Sequence, residues 1–274
     1  MKKITVLIFI IITLFVGCSK APTLSIHIID VGQGDSILIQ TPNNSNILVD
    51  GGHEDSSLII KNFLKNKKVK NIDFIIATHP DTDHIGSLDY VIDKFNVSKV
   101  YLPNKIAKSD SYYNLIQSCN KKNINPQYLS RGDIISLDNN IKLTVLNPSY
   151  THTDNNSNSI VFKLDHNKKS FLFTGDCTYE NEMDIINNFN LKDVDFLKIS
   201  HHGSKNSSSQ EFLYAVSPDV AAISCGYDNR YGHPHKDTLL RLAQIDAKIY
   251  RTDKQGHISF YSDGETITTS SPPK

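Results

Sequence analysis

Short apolar segments recur along the chain, and an ionisable residue follows five of them. The segments have strand length, and most are bounded by turn residues. They cover residues 26–29, 37–40, 47–49, 74–77, 100–102, 143–146, 160–164, 171–174, 196–199, 220–224, 248–250 and 258–261. The ionisable residues that come directly or within two positions afterwards are Asp30, Asp50, His79, Asp176 and His201. Because ligand sites collect at strand ends in layered sheets, this placement predicts a site at such an edge.

Segments with helical spacing of apolar residues lie between the predicted strands. They cover residues 57–64, 88–95, 112–119, 182–189, 211–216 and 239–245. Strands therefore dominate both halves of the chain and helices interrupt them, which favours sheets with helices on their outer faces. No repeat or long linker divides the sequence, so we predict one domain over residues 24–274.

The N-terminus is typical of a targeting segment. Lys2 and Lys3 precede residues 4–16, which are apolar apart from two threonines. As a helix this run would reach only about 20 Å, short of the ~30 Å hydrocarbon core of a membrane. We therefore predict a signal peptide over residues 1–17. The ending "LFVGC" is similar to a bacterial lipobox, which predicts a lipid on Cys18, a tether over 18–23 and an extracytoplasmic, membrane-anchored protein; simple secretion is the alternative.

Composition narrows the function classes only a little. The chain has 29 basic and 29 acidic residues, so its formal net charge gives no footprint for nucleic acid, although a local basic patch is still allowed. Cys119, Cys177 and Cys225 form no CxxC pair. A disulfide framework and a zinc knuckle are therefore not expected, and buried free thiols are.

The segment "HPDTDH", residues 79–84, places four metal-ligand side chains within six residues. Pro80 disfavours a helix at this point, so we predict a loop. Its mixture of acids and histidines suits Zn²⁺, Mn²⁺ or Fe²⁺. The alternative is a polar turn in which Thr82 or Asp83 caps the helix that follows.

Three later segments add candidate groups, each weak alone. Asp176 ends the strand-like "FLFTGD", where a carboxylate could bridge two ions or simply form a turn. His201 and His202 follow another strand and could bind metal or phosphate, with Ser204 and Lys205 suited to an anionic substrate. The loop over residues 226–235 contains Arg230, Tyr231, His233 and His235.

Six ordered motifs carry a family resemblance. They are "HIIDVGQGDSILI", "ILVDGG", "THPDTDHIG", "FTGD", "ISHHGS" and "YGHP". Together they resemble the metallo-β-lactamase superfamily and, more narrowly, the hydrolase domain of the ComEC DNA-uptake proteins. The resemblance covers nearly all of the chain after the N-terminal segment. It implies an α+β fold, a four-layer αββα sandwich with two divalent metal ions in a groove at one edge.

The resemblance also implies roles for particular residues. His79 and Asp81 would hold the first ion, Asp83, His84 and His233 the second, and Asp176 would bridge them. Asp50 would orient ligands, and Asp30, Gln33 and Asp35 would shape the floor of the site. His201 and His202 would contact the scissile group, although one of them could ligate metal instead.

Two departures from the superfamily pattern distinguish this chain. The usual H-x-H-x-D-H reads H-x-D-x-D-H, with Asp81 in place of a histidine. The loop that usually supplies another histidine reads "NNSNS", so Asn156 is its nearest counterpart. Both changes replace nitrogen by oxygen, which favours Mn²⁺ or a loosely held zinc at the first position. We therefore expect one ion to bind tightly and the other weakly.

This pattern predicts a metal-dependent phosphodiesterase. Paired metal ions suit in-line displacement at a phosphodiester, with Asp83, His201 and His202 as the residues nearest the reaction. DNA and phosphodiester-bearing cell-wall polymers are both candidate substrates. The alternatives are hydrolysis of a lactone or amide and a non-catalytic surface-binding lipoprotein.

Overall fold

The computed structural model describes residues 23–192 and 194–273. The predicted signal peptide and the predicted lipid attachment at Cys18 lie outside these residues. Within them, no helix combines the length and the apolar character needed to cross a membrane.

Strands and helices alternate along the chain. The strands are β1 (Leu24–Ile28), β2 (Ile37–Gln40), β3 (Asn46–Val49), β4 (Asn71–Ile72), β5 (Phe74–Ile76), β6 (Asn96–Val97), β7 (Val100–Leu102), β8 (Gln127–Tyr128), β9 (Ile134–Asp138), β10 (Ile141–Asn147), β11 (Val161–His166), β12 (Lys169–Phe173), β13 (Phe196–Lys198), β14 (Val220–Ile223), β15 (Lys248–Arg251), β16 (Ile258–Ser262) and β17 (Ile267–Thr269). The α-helices are α1 (Ser57–Asn66), α2 (Thr82–Ile85), α3 (Leu88–Lys94), α4 (Asp110–Lys121), α5 (Tyr179–Asn188), α6 (Gln210–Val216), α7 (Lys236–Ala243) and α8 (Thr252–Gln255).

Most strands belong to two large mixed sheets. The first has the order β17-β16-β1-β2-β3-β5-β7-β8, and the second has the order β15-β14-β13-β12-β11-β10-β9. Strands β3 and β5 run parallel in the first sheet, as do β12 and β13 in the second. The carboxyl ends within each pair therefore lie at one edge of their sheet.

Alternating side chains build the layers. In β12, Phe171 and Phe173 enter the core between the two sheets, whereas Leu172 packs on the opposite face with residues of α5 and α6. The outer face of the first sheet packs in the same way against α1, α3 and α4. This period-2 pattern produces four layers in the order helices, sheet, sheet, helices. The predicted α+β fold with αββα layers is therefore confirmed.

The predicted elements correspond closely to the observed ones, with one correction near the site. Each predicted strand and helix overlaps an observed element, and the three cysteines are buried and free. The loop predicted for residues 79–84 is wrong in its second half, where Thr82–Ile85 forms the one-turn helix α2. Pro80 lies before the N-cap residue Asp81, outside the helix, so its missing N–H costs no helical hydrogen bond.

Candidate metal centre

Asp50 fixes the His84 imidazole from behind. Asp50 follows β3, and its carboxylate accepts hydrogen bonds from Thr78 N and Thr78 Oγ1, both at 2.7 Å. The same carboxylate lies 2.8 Å from His84 Nδ1. Both residues are almost completely buried. With Nδ1 held by a carboxylate, His84 Nε2 faces the site, which is the arrangement typical of metal-binding histidines.

Helix α2 brings His84 and Asp83 to the site, and the β1–β2 loop packs directly on it. Asp35 N donates to Asp83 O at 3.1 Å. Gly34 has a φ of 129°, and a Cβ at this position would lie 2.3 Å from Asp83 O. Only glycine therefore allows this close approach of the two backbones.

Two carboxylates and two imidazoles converge in the interior of the site. Ligand atoms of Asp35, His84, Asp176 and His202 all lie within 4.8 Å of one another, and all four residues are buried. Asp176 Oδ1 is 3.3 Å from His84 Nε2, and Asp176 Oδ2 is 3.6 Å from His202 Nε2. Asp83 Oδ2 adds a further oxygen 3.3 Å from His202 Nε2. Asp176 therefore lies between the imidazoles of His84 and His202, a position compatible with its predicted bridging role, which stays a prediction.

An unusual turn after β13 aims two adjacent histidines at this cluster. His201 and His202 both have left-handed backbone conformations, with φ of 48° and 54°. Such conformations cost energy for residues other than glycine and are concentrated at functional sites. His202 is buried, with Nδ1 3.0 Å from Ser224 O. His201 stays about one third exposed, with Nε2 3.7 Å from Asp176 Oδ2, so it lines the mouth of the site.

A buried lysine supports the cluster from the second sheet. Lys198 Nζ lies 2.7 Å from Asp35 Oδ2 and 3.0 Å from Ile199 O. The other oxygen of Asp35 is 3.4 Å from His202 Nδ1. A charged lysine is rarely found inside a protein unless a carboxylate compensates it. One oxygen of Asp35 thus pairs with Lys198, while the other is buried beside the back of His202 and has no hydrogen-bond partner among the described residues.

The carboxylates create a strongly negative field inside the site. Burial opposes a positive charge on His84, but Asp176 and Asp50 outweigh it and hold the pKa of His84 well above its usual value. The same balance, with Asp176 and Asp35 as the main carboxylates, raises the pKa of His202 to about 10. A field that favours positive charge this strongly on buried imidazoles also favours a metal cation.

The donor atoms that face the cluster fit a divalent metal ion. Within the part of the chain that the structure describes, His79 Nε2, His84 Nε2, Asp176 Oδ1 and His202 Nε2 are buried without a hydrogen-bond partner. Asp35 Oδ1, in the same cluster, is a fifth such atom. Buried polar atoms normally have partners, so five unpartnered atoms at one place call for a ligand. Imidazole nitrogens and carboxylate oxygens are ligands for zinc, manganese and iron. The residues therefore form a candidate binding group for divalent metal.

Sequence comparison identifies the family. A family model described as the metallo-beta-lactamase superfamily matches residues 29–227. The chain belongs to the metallo-β-lactamase superfamily.

Among curated proteins, the chain is similar to proteins of the ComEC type. It is 30% identical over 253 residues to ComE operon protein 3 of Bacillus subtilis, a match that covers 86% of this chain and 32% of the relative. It is 29% identical over 268 residues to Recombination protein 2 of Haemophilus influenzae, covering 94% of this chain and 31% of the relative. The chain thus spans about a third of the length of these relatives, and the ComEC-like character of the domain is confirmed.

Solved structures show the same superfamily fold at low sequence identity. The metallo-beta-lactamase fold protein YhfI from Bacillus subtilis has a TM-score of 0.59 and 12% identity, covering 87% of this chain and all of that one. CmlA, a diiron beta-hydroxylase from Streptomyces venezuelae, has a TM-score of 0.59 and 14% identity, covering 86% of this chain and 53% of that one. These likenesses establish the fold alone. The reaction has to be inferred from the residues of the site.

Most of the residues predicted to bind or support metal meet at this edge. The structure brings together His79, Asp81, Asp83, His84, Asp176, Asp35, Asp50, His201 and His202. Asp81 is the most exposed of the acids, with Oδ2 3.6 Å from His79 Nε2. The prediction that Asp81 and His79 share one ion is compatible with this separation and stays a prediction.

The structure gives His202 a deeper position than the resemblance implied. His233, predicted as a ligand, is outside the set of mutually close donor atoms, and its ring centroid is 6.2 Å from that of His202. His233 Nδ1 instead lies 3.4 Å from the Gln33 amide. The structure thus places His202 beside Asp83 and Asp176, and the ligand role of His233 stays a prediction.

The remaining predicted residues lie around the site without joining the cluster. Asp30 accepts a hydrogen bond from Gly32 N within its own loop. Ser204 is buried and its hydroxyl accepts from Asn206 N, so it shapes the loop after the histidines. Lys205 is exposed beside that loop. Asn156 Oδ1 is a buried oxygen with no hydrogen-bond partner among the described residues, which keeps it available to a ligand.

Three supporting residues escaped the sequence analysis. Thr78 donates twice to Asp50, Asn155 Nδ2 donates to Asp81 Oδ1 at 2.6 Å, and Lys198 pairs with Asp35. Only Lys198 leaves a signal in the sequence, because a lysine inside the buried run "FLKIS" requires a carboxylate partner.

Proposed function

We propose that this chain is a metal-dependent phosphodiesterase that acts on nucleic acid, with two divalent ions, zinc or manganese, at the candidate centre. One observation carries the proposal: buried atoms of His84, Asp176 and His202 face one another with no partner among the described residues. Such ions, when bound, would supply an activated water and neutralise charge on the scissile phosphate.

The chain's own residues have separable tasks in this proposal. Asp50 and the Ser224 carbonyl hold the backs of His84 and His202 through their Nδ1 atoms, which fixes the ring orientations. Asp176 lies between the two rings, with its carboxylate oxygens close to His84 Nε2 and His202 Nε2. His201, partly exposed at the mouth, is placed to donate a hydrogen bond to a phosphate oxygen of the substrate.

Several features support a phosphodiester rather than a lactone or β-lactam. Asp81 makes the first position richer in oxygen, which favours harder ions such as Mn²⁺. Arg230 lines the cavity that Asp83 also lines, and its cation suits an anionic substrate. Relatives carry names that refer to competence and recombination, processes that involve DNA.

We further propose that the domain works outside the cytoplasm, anchored through lipid on Cys18. The support is the N-terminal sequence, with its two lysines, its short apolar run and the ending "LFVGC". Metabolic labelling with a radioactive fatty acid, in wild type and in Cys18→Ser, tests it. Label that persists in the Ser variant contradicts the proposed anchor.

A substrate panel tests the proposed reaction. Purified protein supplied with Mn²⁺ or Zn²⁺ is given bis(p-nitrophenyl) phosphate, single-stranded DNA, a lactone and a chromogenic β-lactam. We expect turnover of the two phosphodiesters and none of the lactone or the lactam. A higher kcat/KM for the lactone or lactam, or no hydrolysis of either phosphodiester with any metal, contradicts the proposal.

A further inference from the structure

A cavity opens beside the metal centre and shares one wall with it. Its volume is about 480 Å³, and Asp83 lines it together with Gln33 from the β1–β2 loop. Asp83 also faces His202 in the metal centre, at 3.3 Å. A single ligand can therefore occupy this cavity and reach the metal centre.

Two tyrosines present their rings to this cavity. Tyr227 is 78% exposed and Tyr231 is 48% exposed, and both lie in the segment after β14. Exposed aromatic rings that line a cavity offer flat apolar surface for stacking. The Tyr231 ring is itself stacked on His233, with centroids 5.6 Å apart and an interplanar angle of 21°, so it continues a row of rings leading to the site.

Hydrogen bonds hold the loop that carries these tyrosines. Asn229 Nδ2 donates to Gly226 O at 2.8 Å and to His233 O at 2.6 Å. Gln33 Oε1 accepts from Gly226 N at 3.2 Å, which joins the loop to the opposite wall. The aromatic surface is thus preorganised, which lowers the entropy lost when a ligand binds.

Cations beside both rings restrict the ligand chemistry. The Arg230 guanidinium lies 4.8 Å from the centroid of Tyr231, and Lys254 Nζ lies 5.4 Å from the centroid of Tyr227. A flat aromatic group attached to a phosphate satisfies both the rings and the cations. Asp55, on the far wall, is the one acidic group of the cavity besides Asp83 among the residues described.

We propose that Tyr227 and Tyr231 form a nucleobase-stacking subsite, with Arg230 placed for the adjoining phosphate. The proposal rests on the proposed function, because a base stacked here places the neighbouring phosphodiester at the metal centre. It makes the substrate class a nucleic acid with an unpaired base, since a base inside a duplex has no free face for a tyrosine. Phosphodiesters that lack a base gain nothing from the subsite.

The test compares how tightly the protein binds two short fluorescein-labelled oligonucleotides of equal length, oligothymidylate and its abasic counterpart. Binding is measured by fluorescence anisotropy directly after mixing. The proteins are wild type, Tyr227→Ala/Tyr231→Ala and Tyr227→Phe/Tyr231→Phe, with Tyr113→Ala as an exposed-tyrosine control outside the cavity. We expect wild type to bind oligothymidylate about 5- to 150-fold more tightly than the abasic strand, the range that stacking supplies per base. The Ala pair should lose this preference, and the Phe pair and Tyr113→Ala should keep it.

Equal affinity of wild type for the two strands overturns the proposal, and so does an undiminished preference in the Ala pair. Binding is read without turnover, so it is independent of the phosphodiesterase assay. A protein that prefers the base-bearing strand but cleaves no phosphodiester keeps the subsite and loses the proposed function. A protein that cleaves bis(p-nitrophenyl) phosphate but binds both strands equally keeps the proposed function and loses the subsite.

Discussion

Lys198 and Asp35 form an ion pair in the interior, with Nζ 2.7 Å from Oδ2 and both side chains almost fully buried. Asp35 is also 3.4 Å from the back of His202, so the pair joins the strand β13 to the metal centre. Breaking such a pair leaves one charge buried and uncompensated, which is far more costly than losing an exposed pair.

Lys198→Met should therefore destabilise the protein by about 3–5 kcal/mol, measured by urea unfolding in the presence of EDTA. Lys121→Ala, which removes a largely exposed pair with Asp93, is the control and should cost at most about 1 kcal/mol. Adding Asp35→Asn to Lys198→Met should recover part of the loss, because no unpaired charge remains. Equal losses in the Lys198 and Lys121 variants would contradict the account.

Asp50→Asn tests the support behind His84. Asn tolerates the left-handed backbone of Asp50, whose φ is 58°, so the fold should survive. The carboxylate behind His84 Nδ1 is lost, and metal affinity should fall about 10- to 100-fold. Competition with a metal-binding dye measures the affinity, and circular dichroism checks the fold. Wild-type affinity in a folded Asp50→Asn protein would show that this contact does not tune the site.

His202→Ala and His233→Ala separate the two candidate ligands. His202 Nε2 lies among the oxygens of Asp83 and Asp176, whereas His233 faces Gln33. His202→Ala should lose bound metal, and His233→Ala should retain the wild-type content, measured by elemental analysis after gel filtration. The opposite result would support the assignment implied by the family resemblance and contradict the geometric one.

The buried carboxyl group of Glu182, which lies outside the metal centre, should make the stability of the protein depend on pH. Its carboxyl group accepts from Ser208 N and from Ser209 N, the latter at 2.9 Å, and burial raises its pKa to about 7. Between the ordinary pKa near 4.5 and about 7, the unfolded chain has lost this proton while the folded protein keeps it. Stability from this group is therefore present at low pH and is lost as the pH rises through that window.

Glu182→Gln removes this titration while keeping the shape of the side chain. The difference in unfolding free energy between wild type and Glu182→Gln should shift by about 3 kcal/mol against wild type as the pH rises from about 4 to about 8. Urea unfolding across this range, with EDTA present, measures it. A difference that stays constant with pH would rule out the raised pKa.

The sequence predicted the layers of the fold because most strands bury an apolar run. Five strands were missed. The strands β4, β6 and β8 have only two residues each, and β9 and β17 lie at sheet edges with side chains that are exposed or half-buried. Edge strands of this kind have no continuous apolar pattern to detect. The sequence does not predict the short helix α2, because Pro80 disfavours a helix at residue 79 whereas α2 begins only at Thr82.

The ligand-bearing segments were also predictable, since Asp50, His79 and Asp176 follow strands that end at one edge. Which side chains pair with one another could not be predicted from the spacing of residues in the sequence. Lys198 and Asp35 are distant in the sequence and meet only because β13 and the β1–β2 loop pack together. The greater depth of His202 depends on two consecutive left-handed residues, a backbone conformation that the letters "HHG" do not specify.

Metal-dependent hydrolysis in wild type and Asp176→Asn tests the central claim most directly. Protein stripped with a chelator is assayed with bis(p-nitrophenyl) phosphate before and after Mn²⁺ is restored. We predict no hydrolysis without metal, recovery in wild type, and at least a tenfold lower rate in Asp176→Asn, since the carboxylate between His84 and His202 is lost. Full activity of the stripped protein, or wild-type recovery in Asp176→Asn, would contradict the account.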